Sequence, residues 1–358
     1  MEKKFMKGNE AIAEAAVRAG CRFFAGYPIT PQSEIPEYLA RRLPEVGGVF
    51  VQAESEIAAI NMVIGAAASG ARVLTSSSNP GISLKAEGIS TLAGSALPAV
   101  IIDVARTGAG TGQIYPGQSQ YNVATKAAGH GGFKVIALAP ATVQEAVDLT
   151  YQAFDFADRD RNPVIVLADG VIGGMMEAVV LPEPKTSFPD KSAWRIDGCE
   201  GREFRINRSL DNDTSRLEQF QKDRAAMYES WQKYDTRVEM LDTEDADIVI
   251  TAYGTSARVS KTAIKELRKE GIKVGLVRPI IVSPFPFQAF DRLDYSRVKH
   301  VLSVEMNIPG LMVEDVRSAV ARRAEVSWFG RGAGFVVSPD EVVEAVMKLV
   351  KNGGKDRG

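Results

Sequence analysis

The sequence predicts an α/β protein built on a parallel sheet, with polar residues gathered at one edge of that sheet. Up to about Asp169, short runs rich in β-branched and aromatic residues alternate with helical segments, as in successive βαβ units. Several apolar strands run directly into polar residues at the start of a helix. Because the carboxyl ends of parallel strands meet at one edge, where open α/β sheets bind ligands, we expect a polar small-molecule site there.

Four strand-to-helix junctions define this edge. The predicted strands are 23–27, 49–53, 73–74 and 99–105, followed in turn by Thr30, Glu56, the polar run 75–79 and Arg106. The pattern also predicts helices over 31–42, 56–69 and 143–156, and strands over 134–138 and 164–167. If the strands are neighbours, the hydroxyl of Thr30, the carboxylate of Glu56 and the guanidinium of Arg106 converge at this edge of the sheet.

A change of composition separates this unit from a second one. Residues 182–246 are rich first in proline and then in charged residues, with a solvated helix predicted over 217–234. A second α/β pattern comprises strands 247–254, 274–278 and 300–304 and helices 256–270, 311–322 and 340–350. We therefore divide the chain into a first domain over 1–195, a charged helical linker over 196–245, a smaller domain over 246–352 and a tail over 353–358.

The charge balance and hydropathy argue against nucleic-acid and membrane partners. Lys and Arg number 43 against 45 acidic residues, so the net charge of −2 offers no basic field to a polyanion. Residues 1–8 are charged and lack an apolar signal core, and the most apolar stretch, 57–68, is too short to span a bilayer. We expect a cytoplasmic protein.

The metal-binding residue types are too few for a metal centre on this chain. Cys21 and Cys199 are far apart and lack CxxC spacing, and the two histidines are His130 and His300. The two cysteines alone cannot ligate an iron–sulfur cluster, and two histidines are too few for a histidine-based site. Any metal or redox centre is expected elsewhere.

Thr30 and Glu56 each have a structural and a functional interpretation. Thr30 precedes Pro31, as an N-cap residue precedes proline at the first helical position. Glu54 and Glu56 stand at a helix start, where carboxylates interact favourably with the helix dipole. The helix after Glu56 is apolar nearly all round, however, which predicts burial of that helix. A carboxyl group at the N-terminus of this helix would be partly desolvated, and the pKa of that carboxyl group would rise toward the range useful for sharing a proton.

Arg106 ends an apolar strand and precedes a glycine-rich loop. The loop spacing is G-x-G-x-G, and Gln113 stands where a dinucleotide fingerprint would require another glycine, so a nucleotide loop is not predicted. A guanidinium recognises carboxylates through two parallel hydrogen bonds. Either a substrate carboxylate or a structural salt bridge is therefore compatible with Arg106 taken alone.

Taken together, these segments resemble the alpha subunit of 2-oxoacid:ferredoxin oxidoreductases. They are GYPITP at 26–31, ESEIAA at 54–59, TSSSNPG at 75–81, Arg106 with its loop, ATKAAGHG at 124–131, LAP at 138–140, EMN at 305–307 and DVR at 315–317. The resemblance covers both domains and implies their folds. The first would be a thiamine diphosphate-binding domain of the pyrimidine type, and the second a domain similar to the transketolase C-terminal domain.

The resemblance also implies roles for individual residues. Glu56 matches the glutamate that hydrogen-bonds the pyrimidine of thiamine diphosphate and is the catalytic candidate. Tyr27, Pro28 and Ile29 lie in a cofactor-binding segment, and Thr30 and Arg106 match positions that bind the 2-oxoacid. The sequence lacks the Gly-Asp-Gly motif with a following asparagine that binds Mg-diphosphate, and Ala168-Asp169-Gly170 is its nearest imitation.

Partner subunits are therefore expected to complete the enzyme. A beta subunit would hold the diphosphate and its Mg2+, and gamma and delta (ferredoxin-like) subunits would carry 4Fe-4S clusters that reduce ferredoxin. Coenzyme A would be the co-substrate. No metal-binding residue is assigned to this chain.

The resemblance ranks the substrates as 2-oxoisovalerate first, with 2-oxoglutarate and pyruvate as alternatives. The compact layout and the stretch 118–131 look most like branched-chain subunits, whereas many relatives have Arg-Gly-Gly-Pro where this chain has Arg106-Thr107-Gly108-Ala109. Two other classes stay open, namely a non-catalytic scaffold of the thiamine fold and a stand-alone transketolase-like enzyme. The presence of Glu56 and Arg106 argues against the first, and the missing Mg-diphosphate motif against the second.

Overall fold

The computed structural model describes residues 3–126 and 129–353. Its strands are β1 (Lys3–Lys7), β2 (Phe23–Gly26), β3 (Val49–Gln52), β4 (Val73–Ser77), β5 (Ala99–Thr107), β6 (Gln113–Pro116), β7 (Ile136–Leu138), β8 (Pro163–Asp169), β9 (Met176–Val180), β10 (Val238–Leu241), β11 (Ile248–Thr251), β12 (Val274–Pro279), β13 (Ile281–Ser283), β14 (His300–Glu305) and β15 (Glu325–Gly330). Ala127 and Ala128 of the family-like segment 124–131, and the tail over 354–358, lie outside the described residues.

The helices alternate with these strands. They are α1 (Gly8–Arg18), α2 (Glu34–Glu45), α3 (Glu56–Ala68), α4 (Asn79–Gly94), α5 (Tyr121–Thr125), α6 (Val143–Asp160), α7 (Gly170–Gly174), α8 (Thr214–Tyr234), α9 (Gly254–Lys269), α10 (Phe287–Asp291), α11 (Met312–Val320) and α12 (Pro339–Gly353). The residues from 181 to 213, between β9 and α8, form no regular helix or strand.

The larger sheet has the order β13-β7-β8-β5-β4-β2-β3, with β6 paired to β5. From β7 to β3 the neighbours are parallel, as predicted, whereas β13 is antiparallel to β7. Helices α1, α2 and α6 pack on one face of this sheet, and α3 and α4 pack on the other. The carboxyl ends of β2, β3, β4 and β5 therefore lie side by side.

The smaller sheet has the order β10-β12-β11-β14-β15 and is parallel except for β10. Part of this sheet shares an apolar cluster with α3, α4 and the larger sheet, and Val249, Val277, Met312, Ile60 and Ile101 all belong to that cluster. The strand β13 follows β12 in the chain yet pairs with the larger sheet. The division of the chain near residue 246 stays a prediction. The strand β13 follows residue 246 in the chain but belongs to the larger sheet.

The helix predicted over 31–42 is wrong at its start, because α2 begins at Glu34. The Pro31 carbonyl accepts a hydrogen bond from the Asn9 side chain at 2.8 Å, and the Gln32 amide donates to Ile29. These bonds hold residues 29–32 as a turn. Thr30 is therefore not the N-cap residue of α2, and its capping interpretation is wrong.

Gln118 joins the two sheets through a buried side chain. Its amide nitrogen donates to the Tyr253 carbonyl at 2.9 Å, and its amide oxygen accepts from the Ser256 hydroxyl at 2.8 Å and from the Met306 backbone at 2.9 Å. One side chain thus satisfies three buried polar groups from two segments of the second unit.

We expect Gln118→Ala to lower the free energy of unfolding by about 3 kcal/mol, because three buried polar groups lose their partner. Chemical denaturation of the full chain measures this loss. Gln113→Ala is the matched control, since Gln113 is exposed in the same segment. Equal stability of the two variants would show that Gln118 does not hold the units together.

Candidate active site

Glu56 is buried at the first position of α3, directly after β3. Ser55 is the N-cap residue of this helix, and its hydroxyl accepts a hydrogen bond from the Ala58 amide at 3.1 Å. The Glu56 side chain is only 3% exposed, and its carboxylate accepts a hydrogen bond from the Ser77 hydroxyl. Because Ser77 ends β4, the carboxylate lies at the edge where the sequence predicted the site.

Gly81 allows the first turn of α4 to approach this carboxylate. A Cβ atom added at Gly81 would lie 2.2 Å from Oε1 of Glu56 and 2.0 Å from Oγ of Ser77. Both distances are far below contact distance, so a larger side chain must displace the carboxylate or the helix. The glycine in TSSSNPG therefore has a direct steric role.

Lys85 is the second charged group beside Glu56, and the sequence analysis missed it. Glu56, Ser77 and Lys85 are here called the Glu56 cluster. It is fully buried on α4; its ammonium forms an ion pair with Oε2 of Glu56 and donates to the Ser76 carbonyl at 3.3 Å. Burial lowers the pKa of the Lys85 ammonium to about 7, and contact with a carboxylate acts in the opposite direction. The detectable signal was its position in the apolar stripe formed by Ile82 and Ile89, where a charged residue is out of place.

Arg106 lies near the end of β5, which continues to Thr107. Its Nη1 donates to the Thr30 carbonyl at 3.1 Å and its Nη2 to the Thr111 carbonyl at 2.7 Å. The side chain is 5% exposed, and no described residue accepts a hydrogen bond from its buried Nε. Among the described residues Arg106 makes no salt bridge, so its guanidinium retains a donor for a ligand.

The start of α4 connects Arg106 with the Glu56 cluster. Asn79 accepts from the Arg106 amide at 3.0 Å, and its own amide group donates to the Arg106 carbonyl at 3.0 Å. Thr30 is exposed, and the structure brings it to Arg106 through its backbone carbonyl. Tyr27 and Pro28 are also exposed in the loop after β2, with Ile29 partly buried.

The helix α3 is buried on one side only, so the prediction of an all-round buried helix is wrong for this chain. Ile57 is 53% exposed, and Leu84 on the adjacent α4 is 52% exposed. Met62 and Tyr27 are exposed nearby in the fold, on α3 and after β2. Ile57, Met62 and Leu84 therefore give α3 and α4 an exposed apolar surface beside Glu56, here called the α3–α4 surface.

Asp169, in the nearest imitation of a Mg-diphosphate motif, is engaged within the protein. Its carboxylate accepts from the backbone of Val171 and Ile172, and from the Thr255 amide and hydroxyl at 3.0 and 2.7 Å. Burial raises the pKa of Asp169 against these hydrogen bonds, which lower it. Within residues 3–126 and 129–353, no group of three or more His, Cys, Asp or Glu side chains could hold a metal ion.

Two family models match the chain in succession. The model of the thiamine diphosphate-binding domain of pyruvate flavodoxin/ferredoxin oxidoreductases matches residues 14–238, and that of core domain II of pyruvate:ferredoxin oxidoreductase matches residues 246–342. The chain belongs to the 2-oxoacid:ferredoxin oxidoreductase family. The resemblance found in its sequence motifs and the predicted α/β fold are confirmed.

Curated relatives of this oxidoreductase chain include subunits with two different substrates in their names. It is 44% identical to ketoisovalerate oxidoreductase subunit VorB of Methanothermobacter marburgensis, over 98% of both chains. It is 36% identical to 2-oxoglutarate synthase subunit KorA of Methanocaldococcus jannaschii, over 97% of this chain and 100% of that one.

Two solved structures share the fold. The 2-oxoglutarate:ferredoxin oxidoreductase from Magnetococcus marinus, with 2-oxoglutarate, coenzyme A and succinyl-CoA bound, superposes with a TM-score of 0.86 at 26% identity. The match covers 97% of this chain and 65% of that longer one. A split-gene transketolase in an inactive beta4 tetramer gives a TM-score of 0.57 at 13% identity, covering 96% of this chain and 97% of that one, which shows the fold alone.

The residues at the sheet edge fit the pyrimidine end of thiamine diphosphate, which the first domain of this family binds. Glu56 offers a buried carboxylate, and Ser78 offers a buried hydroxyl that has no hydrogen-bond partner among the described residues. The close approach of α4 at Gly81 confines the carboxylate. The individual roles of Glu56, Thr30, Arg106 and the loop 27–29 stay predictions. Within residues 3–126 and 129–353, the helices are each too short or too polar to span a lipid bilayer.

We expect Gly81→Ala to lower the free energy of unfolding by about 1–3 kcal/mol, because the added methyl group overlaps Glu56 and Ser77. Chemical denaturation measures the change. Gly65→Ala is the control, since a Cβ at this α3 position meets nothing within 4 Å and alanine favours a helix. If both variants are at least as stable as the parent chain, the close approach at Gly81 is not a constraint.

Proposed function

We propose that this chain is the alpha subunit of a 2-oxoisovalerate:ferredoxin oxidoreductase. The reaction is the thiamine diphosphate- and coenzyme A-dependent oxidative decarboxylation of the oxoacid to an acyl-CoA and CO2, with reduction of ferredoxin. The observation that carries the proposal is the buried Glu56 carboxylate at the carboxyl edge of the sheet, in a chain of this family. Identity of 44–45% to ketoisovalerate subunits, against 34–37% to 2-oxoglutarate subunits, supports the substrate.

The chain's own residues position the cofactor and substrate. When bound, thiamine diphosphate would supply a nucleophilic carbon and an electron sink for the electron pair of the bond that breaks as CO2 leaves. Glu56 accepts a hydrogen bond from the pyrimidine ring, which Tyr27, Pro28 and Ile29 flank. Arg106 binds the substrate carboxylate with the help of Thr30. Fixed donors of this kind act without reorganisation in a site that excludes water.

The hairpin after Arg106 supports an apolar substrate side chain. Residues 107–117 contain no Lys or Arg, and Ile114 and Tyr115 are exposed on β6. A second carboxylate, as in 2-oxoglutarate, calls for an additional cation, because an unpaired buried charge is strongly disfavoured. The 2-oxoglutarate reaction is the second candidate, favoured by the structural match to the Magnetococcus marinus enzyme.

Partner subunits complete the enzyme in this proposal. The α3–α4 surface is apolar and adjoins the Glu56 cluster, as expected of a face that another chain covers. A beta subunit there would supply the diphosphate and Mg2+ site, and gamma and delta subunits would supply 4Fe-4S clusters for ferredoxin. The cytoplasmic location expected from the sequence stays a prediction.

Reconstitution with the partner subunits tests the activity and the substrate together. The isolated chain should not oxidise any oxoacid, whereas the complex should reduce a low-potential dye with a kcat/KM for 2-oxoisovalerate at least roughly tenfold above those for 2-oxoglutarate and pyruvate. Preference for 2-oxoglutarate would show that the substrate ranking is wrong. Oxidation by the isolated chain would contradict the shared active site.

Arg106→Lys tests the carboxylate anchor, because lysine keeps the charge but loses the planar pair of donors. We expect kcat/KM to fall roughly 10- to 100-fold for every oxoacid, with little change in thiamine diphosphate affinity. Arg322→Lys, at an exposed position, is the control. A loss confined to one oxoacid would assign Arg106 to the variable side chain instead.

A further inference from the structure

We propose that Lys85 is a positioning residue that keeps Glu56 ionised and oriented as a hydrogen-bond acceptor for the bound pyrimidine. This inference rests on the proposed function and adds to it a residue that acts through Glu56. It concerns the electrostatics of the carboxylate rather than contact with substrate.

Each oxygen of Glu56 contacts one neighbouring polar group. The Ser77 hydroxyl donates to Oε1, and the Lys85 ammonium contacts Oε2 while also donating to the Ser76 carbonyl. An ionised carboxylate has about four lone-pair positions, so two remain for a ligand. Because a hydrogen bond from β4 and an ion pair from α4 hold the two oxygens, the plane of the carboxylate is set before a cofactor arrives.

A stabilising role alone does not explain a charged residue here. Lys85 occupies an apolar stripe of α4 with Ile82, Ile89 and Leu92, all buried. Exchange of a buried ion pair for apolar side chains of similar volume is often neutral or stabilising, since the desolvation penalty disappears. Stability alone therefore does not account for the pair, and we assign the ammonium a role that acts on its partner.

Asp103, a second buried titratable group beside Ser77, does not replace Lys85. Asp103 lies beside Ser77 in the pairing of β4 with β5, is fully buried, and has no hydrogen-bond partner on either oxygen among the described residues. Burial raises the pKa of Asp103 well above its usual range and thereby favours its neutral form. Among the described residues, Lys85 is the cation that pairs with Glu56.

The expected consequence of removing the ammonium follows from its charge. A cation in contact with a carboxylate favours the ionised form, so Glu56 takes up a proton at a higher pH when Lys85 is neutral or absent. A protonated Glu56 loses part of its acceptor capacity and no longer attracts a protonated ring nitrogen. Binding of the cofactor therefore weakens first on the acid side.

Lys85→Met tests the inference, because methionine keeps an unbranched stem without the charge. In the assembled complex, calorimetric titration with Mg-thiamine diphosphate measures cofactor affinity as a function of pH. The acid limb of this profile, where affinity falls as the pH falls, should lie at least about one pH unit higher in the variant, and binding at pH 6.5 should be roughly tenfold weaker. The free energy of unfolding should fall as well, because Glu56 then lies buried without its cation. An unchanged acid limb would overturn the inference.

Two further variants distinguish charge from structure. Lys85→Gln keeps a hydrogen-bond donor but no charge, so its acid limb should match that of Lys85→Met. An acid limb like that of the parent complex in Lys85→Gln would refute an electrostatic role. Lys191→Met is the matched control, because Lys191 is another buried lysine whose ammonium lies 2.6 Å from Oδ1 of Asp158. The acid limb of the Lys191→Met complex should match that of the parent complex.

A cofactor-free measurement separates this inference from the proposed function. In the full chain with 13C-labelled glutamate, the Glu56 carboxyl signal, assigned by its absence in Glu56→Gln, should titrate at least about one pH unit higher in Lys85→Met. Coincident titrations would overturn the inference. A displaced titration in a complex that binds no thiamine diphosphate would support the role of Lys85 and refute the proposed function alone.

Discussion

The close approach of α4 to the carboxyl ends of β4 and β5 is the constraint on which the candidate site depends. Gly81 leaves room for the Glu56 carboxylate, Asn79 pairs with the backbone of Arg106, and Lys85 reaches Glu56 from the next turn. A shift of this helix would move all three contacts together. The carboxylate and the guanidinium thus share one rigid support, which is how a site retains its geometry when it is assembled from several strands.

The second unit stabilises the same edge from the other side. Gln118 and Asp169, both in segments next to β5 or β8, bind backbone and side-chain groups of residues 253–256. Glu305 adds a buried carboxylate that accepts from the first amides of α11, which explains the EMN segment in structural terms. The family-like segments therefore divide into those that form the site and those that join the two sheets.

The sequence predicted the parallel sheet and the convergence of its strand ends, because both follow from the alternation of apolar strands and helices. It did not predict Lys85, since a lysine on a helix is usually solvated and only its position in an apolar stripe distinguishes it. The error at Thr30 has a long-range cause, as Asn9 binds the Pro31 carbonyl from α1. The half-exposed α3 shows that an apolar helix can belong to a surface that a single chain leaves open.

That open surface bears on how the protein is made. Newly synthesised chains carry Ile57, Met62 and Leu84 in water until something covers them, and clustered apolar side chains promote non-specific association. Balanced synthesis of the covering chain would then matter as much as the strength of the final contact. In a cell that makes this chain in excess, the unassembled fraction is the one that chaperones and proteases would remove first.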